Sequence, residues 1–175
     1  MKTSLYIALV LLLASSCKFA NFTERPGVVK ESFPKDMYGV YRHIEKSNGV
    51  RDTHILTIDS LGAHINDPLL DKIVNLKDSN NTLTHLGDYY YLNVKDTDSA
   101  GNFTYYVYPF EYDKKNLYIY KLFYDDKSNK RMLKSGLKLS GKRDGQYIMD
   151  NMPFKAYVEK YLKKKNAIHF KKIKS

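Results

Sequence analysis

From Tyr38 onward the chain is written in short β-type runs separated by turn residues, with a spacing of about ten residues. Residues 38–45 (YGVYRHIE) form the first run, closed by Ser47-Asn48-Gly49, and Asn-Gly is a strong hairpin signal. Residues 53–59 (THILTID) alternate, with His54, Leu56 and Ile58 on one face. Runs at 63–66, 82–86, 88–95, 102–112, 116–124, 130–140 and 145–150 continue the pattern, with Asp, Asn, Gly and Ser in the gaps. Such punctuation leaves little room for helices. It predicts a mainly β domain, a single antiparallel meander closed as a barrel or packed as a sandwich.

Two stretches depart from this rhythm. Residues 68–77 suit either a short helix, opened by Pro68 with Asp67 as cap, or a strand through Ile73, Val74 and Leu76. Residues 153–165 predict an amphipathic helix. Pro153 fits a first helical position, and Phe154, Tyr157, Val158, Tyr161 and Leu162 fall in one apolar stripe. Lys163, Lys164 and Lys165 close it, at the end where cations are favoured. Residues 168–173 then read as a last strand.

The formal charge of +10 is concentrated in the tail. Lys155 to Ser175 carries eight lysines against Glu159, while residues 18–154 hold twenty basic against eighteen acidic residues. The body is near neutral. A local basic patch that includes Lys160, Lys163, Lys164 and Lys165 reads first as a solvated helix face that serves solubility, and second as a surface for anionic lipid headgroups or envelope polysaccharide phosphates rather than nucleic acid.

The chain opens with Met1-Lys2, a ten-residue apolar run from Leu5 to Ala14, and Ser15-Ser16-Cys17. The run is short for a membrane span and right for a signal-peptide core. Cys17 is the only cysteine. Small residues just before a cysteine, after such a core, resemble the lipobox of bacterial lipoproteins. That resemblance implies a signal peptide over 1–16, cleavage before Cys17, a diacylglycerol on its sulfur and an acyl chain on its new amine. The 175-residue chain less its first 16 leaves 159 residues, enough for one domain with a sizeable core. No thiol would remain for a disulfide. In that family an Asp after the cysteine marks inner-membrane retention. Lys18 stands there instead, which implies the outer membrane. Residues 17–36, interrupted by Pro26-Gly27 and Pro34, read as a lipidated N-terminus and flexible tether, with the globular domain over 37–175. Asn21-Phe22-Thr23, Asn80-Asn81-Thr82 and Asn102-Phe103-Thr104 match the glycosylation sequon, relevant only to a eukaryotic secretory chain.

Sixteen tyrosines against no tryptophan is the odd abundance. Tyr118, Tyr120 and Tyr124 share one side of a run at period two, and could line a cavity or platform for a sugar or lipid. Tyr is also a good half-buried strand former, and it occurs on both faces of these runs. The five histidines show no metal-ligand spacing, so no metal or cofactor is expected. No nucleophile elbow, zincin helix or phosphate loop occurs, so no catalytic residue is nominated. Two carboxylates from distant strands would leave no such signature.

Phe33-Pro34-Lys35-Asp36-Met37-Tyr38-Gly39-Val40-Tyr41 resembles the opening of lipocalin-like domains, in which a short turn leads into Gly-x-Trp on the first strand. Tyr41 stands at the Trp position. The resemblance implies that Gly39 gives a tight turn-in, that Tyr41 closes the barrel floor, and that the C-terminal helix packs outside a barrel holding small apolar ligands. The expectation is therefore a lipid-anchored extracytoplasmic protein, non-enzymatic, that binds a partner or maintains the envelope. A lipocalin-like carrier, with Tyr41, Tyr118, Tyr120 and Tyr124 as ligand contacts, and an envelope-polymer hydrolase are the alternatives.

Overall fold

A computed structural model describes residues 18–47, 49–66, 72–120, 123–124, 138–143, 146–150, 164 and 167–174. Its strands are β1 (Lys18–Phe22), β2 (Val28–Lys30), β3 (Gly39–Ser47), β4 (Val50–Ile58), β5 (Gly62–Asn66), β6 (Lys72–Asn75) and β7 (Asn81–Leu86). They continue as β8 (Tyr89–Thr97), β9 (Phe103–Asp113), β10 (Asn116–Ile119), β11 (Phe123–Tyr124), β12 (Lys138–Arg143), β13 (Gln146–Asp150) and β14 (Ile168–Lys174).

Ten of these strands make one curled antiparallel sheet, a half-barrel, in the order β2-β7-β8-β9-β10-β14-β3-β4-β5-β6. The expected meander survives in two blocks, β3 to β6 and β7 to β10. Between them lies β14, the last strand of the chain, paired with β10 on one side and β3 on the other. The sheet forks at β9. Its C-terminal half pairs with β10, and its N-terminal half pairs with β1, which runs parallel to β13.

The alternation read from the sequence sets which face is inward. Leu56 and Ile58 on β4, Leu83 on β7, Phe110 on β9, Leu117 on β10 and Phe170 on β14 form one buried cluster. Phe33 and Met37, from the segment between β2 and β3, plug the concave side, and Tyr41 completes it with no exposed surface. Each such side chain contributes about 1.5–3 kcal/mol of burial.

The 3-10 turn Lys35–Met37 seals one end, and side chains satisfy its carbonyls. The Tyr41 hydroxyl donates to Met37 O (2.6 Å), the Tyr112 hydroxyl to Asp36 O, and Lys172 Nζ to Asp36 O (3.0 Å). Gly39 begins β3 beside this turn with φ +144°. A Cβ there would stand 2.3 Å from Lys174 O, so only glycine lets β3 and β14 meet. A bulge between Lys172 and Lys174 leaves Ile173 exposed at the same seam.

The expected tether over 17–36 is corrected. Residues 18–22 and 28–30 are paired strands, and Phe22, Pro26, Phe33 and Met37 are buried. Proline and glycine here make a turn rather than a linker. Gly27, at φ +74°, lies where a Cβ would be 2.3 Å from His85 O, so the chain is drawn tightly onto β7. The ambiguous stretch 68–77 resolves as strand over Lys72–Asn75. The helix expected over 153–165 lies outside the described residues, Lys164 excepted; its carbonyl accepts from Ala167 N in a turn (3.1 Å).

Candidate functional site

Two of the nominated tyrosines and one nominated lysine come together on the face of β9, β10 and β14 away from the main core. Cross-strand pairing puts Glu111, Tyr118 and His169 in one row. Tyr118 stacks on His169, with centroids 4.9 Å apart and planes 11° apart. Lys164 Nζ lies 3.2 Å from a Glu111 oxygen and 4.8 Å above the Tyr118 ring. Tyr120, buried, donates its hydroxyl to the other Glu111 oxygen. His169 Nε2 is 2.8 Å from Asn116 Oδ1.

Every charge in this cluster is compensated. The Glu111 carboxylate holds both a phenol proton and an ammonium, and the hydrogen bond to Glu111 raises the Lys164 pKa above the lysine norm. The arrangement ties residue 164 and β14 to the body of the sheet. It is a brace, in which Lys164, half exposed, pairs with Glu111. Lys160, Lys163 and Lys165 lie outside the described residues. Tyr124 stands on β11, opposite Lys18, away from this row. Tyr41 is in the core, with no exposed surface and its hydroxyl bonded to Met37 O.

These phenols make the fold alkali-sensitive. Burial raises the pKa of Tyr41, with Tyr112 adding to the shift, and burial followed by the Glu111 hydrogen bond raises that of Tyr120. Burial also raises Tyr90, Tyr108 and Tyr112 above the usual 10.0. A raised folded value means that the unfolded chain ionises first. The stabilisation is whole below pH 10 and is lost as pH climbs toward the folded values. Above pH 10, phenolate absorbance from these buried rings should therefore appear together with loss of the β circular-dichroism signal. Full ionisation with an unchanged β signal would contradict their burial.

A different place is open to solvent. A groove of about 360 Å³ lies between the turn after β1, strands β2 and β7, and the start of β9. Glu24, Arg25, Val29, Thr84, Phe103 and Tyr105 line it. Its floor is fixed by Asn93, fully buried, whose amide donates to Thr82 O (3.0 Å), Thr84 Oγ1 (3.0 Å) and Tyr91 O (3.1 Å). Arg25 Nη1 donates to Thr82 Oγ1 (3.0 Å), and its guanidinium sits 5.3 Å from the Tyr105 centroid. Phe103 meets Tyr105 edge-on at 5.8 Å, and Lys95 Nζ stands 4.4 Å over its ring. Phe103 is 48% exposed, unusual for a phenylalanine in a sheet. The β8–β9 loop that presents it is held by Asp98 Oδ1, which accepts from Ala100 N (2.9 Å) and Asn102 N (2.8 Å).

The groove is not legible in the sequence, where Pro26-Gly27 and Pro34 make Glu24 and Arg25 read as part of a tether. The available signal was the pair Phe103 and Tyr105, two apart on one strand face, with Pro26-Gly27 turning Arg25 back toward them. Among the described residues no three His, Cys, Asp or Glu side chains gather as a metal site would require. No protein-family model matches the chain, and neither a curated protein nor a solved structure matches it.

Proposed function

We propose that this chain is a lipid-anchored extracytoplasmic binding protein of the bacterial cell envelope, non-enzymatic, with the groove beside Arg25 and Phe103 as its binding site. The observation that carries the binding half is the contrast between two surfaces. The concave face is filled by the chain's own Phe33, Met37 and Tyr41, while the groove keeps the Phe103 ring and the Arg25 guanidinium at the surface, with Lys95 Nζ over that ring. Arg25 and Lys95 make no ion pair among the described residues, so their charge is available to a partner. A carrier of apolar ligands would need the filled face emptied. A hydrolase built on Glu111 would need that carboxylate released from Tyr120 and Lys164.

The anchor half rests on Cys17, the lone cysteine behind a ten-residue apolar core and two serines. Its residue type suits acylation, and the outer membrane is the destination that Lys18 implies. Strand β1 begins at Lys18, and consecutive Cα atoms are about 3.8 Å apart. Acyl chains on Cys17 would therefore hold the sheet against the bilayer, with no stand-off. At about 0.8 kcal/mol per buried CH₂, several acyl chains make release negligible. Intact mass of the mature protein should show a residue-17 N-terminus carrying acyl chains, and Cys17→Ser should leave the protein unacylated and outside the membrane fraction. An acyl-free wild type that still begins upstream of residue 17 would overturn the anchor.

A further inference from the structure

From the groove's chemistry we infer that its ligand is an acidic saccharide, a sugar chain carrying carboxylate or phosphate groups; this rests on the groove being the binding site. The groove combines three features that one such ligand satisfies together. Phe103, 48% exposed, offers an apolar surface of the size of a sugar ring's C–H face. Arg25 and Lys95 flank the aromatic pair, at 5.3 Å from the Tyr105 centroid and 4.4 Å from the Phe103 centroid. Neither cation is neutralised by a carboxylate among the described residues, and both are steadied by the ring beneath them. Glu24 is exposed on the same rim, where it can accept hydrogen bonds from sugar hydroxyls.

Pre-organisation argues in the same direction. Arg25 is fixed at one edge by Thr82 Oγ1 (3.0 Å), and Thr82 is in turn held through its carbonyl by Asn93 (3.0 Å). One N–H of the guanidinium fork is used there, and the remaining donors suit the two oxygens of a carboxylate or phosphate. A long side chain already stacked and bonded loses little freedom when it binds. A purely apolar ligand would leave both cations unmatched. A simple polyanion would leave the exposed part of the Phe103 ring in water.

The test is amide chemical-shift mapping on the ¹⁵N-labelled protein purified in detergent. Four probes are titrated: an oligogalacturonate, a sugar phosphate, a neutral glucan oligomer and polyglutamate. The expected result is shifts confined to residues 23–29, 82–84, 93–95 and 103–105 with either acidic sugar. Binding of the acidic sugars should exceed that of the glucan and of polyglutamate by about tenfold, as expected for a charge-assisted hydrogen bond and a ring contact. The two acidic probes separate carboxylate from phosphate as the group recognised. Arg25→Gln and Phe103→Ala, both at exposed positions, should each weaken the acidic sugars about tenfold, with the spectrum of the free protein otherwise retained. Groove shifts with the neutral glucan at equal or higher affinity would overturn the acidic class while leaving the groove as the site. Equal binding of polyglutamate would overturn the saccharide. Shifts that fall elsewhere, or none with any probe, would overturn both the ligand class and the groove.

Discussion

Phe170→Ala should lower the stability of the protein by about 3–5 kcal/mol, the range for removing a buried aromatic ring. Phe170 is 3% exposed, faces Leu117 across the β10–β14 pair, and lies 5.4 Å from the His43 ring on β3. It is therefore the side chain through which the last strand joins the two blocks of the sheet. A domain of this size has only about 5–15 kcal/mol to lose. The melting temperature should fall by roughly 10 °C or more. Lys171→Ala, at the adjacent exposed position, should change stability by less than about 0.5 kcal/mol. Thermal unfolding followed by circular dichroism decides the matter. If Phe170→Ala melts with the wild type, β14 is not between β10 and β3 and the half-barrel is wrongly joined.

The contrast between Phe170 and the rest of the fold shows what the residues reveal locally. Alternation placed β3, β4, β7, β8 and β9 within a few residues, because a half-buried strand must alternate wherever it pairs. Asn48-Gly49 announced the β3–β4 hairpin, in which Ser47 stands opposite Val50 and Gly49 has φ +81°. Partner choice was not legible. Nothing in residues 168–174 distinguishes a final edge strand from one inserted between β10 and β3. That order depends on contacts between segments more than fifty residues apart, such as Leu117 with Phe170. Residues 18–36 read as a tether for a related reason. Pro26, Gly27 and Pro34 break periodicity equally well in a flexible linker and in a tight turn, and only Phe22, Phe33 and Met37 hinted at burial. The candidate site divided likewise. Tyr118, Tyr120 and Lys164 were nominated for ligands but meet Glu111 in a brace, since their residue types suit either role. Arg25 and Phe103 went unnoticed because they converge only after β1 and β9 have paired.

The pairing of β1 carries the largest consequence for function, because it fixes how an anchored domain sits. Ala20, Asn21 and Phe22 are opposite Tyr147, Ile148 and Met149 on β13, while Asn21 and Phe22 face Tyr106 and Tyr105 on β9. Phe22 is 1% exposed. Each amide inside such a strand exchanges only when the strand detaches from the neighbour that accepts its hydrogen bond, and full release exposes Phe22 to water. A tether over the same residues would exchange at the rate of unstructured chain. The two alternatives differ by orders of magnitude in one observable.

Hydrogen exchange of amides 19–22 in the membrane-bound protein, compared with the exposed β7–β8 loop at 87–88, is the most direct measurement. The expected result is protection of roughly a hundredfold or more, about 3 kcal/mol of local opening free energy, with the loop unprotected. Exchange of residues 19–22 as fast as the loop would contradict it, and would restore a flexible spacer between Cys17 and the sheet.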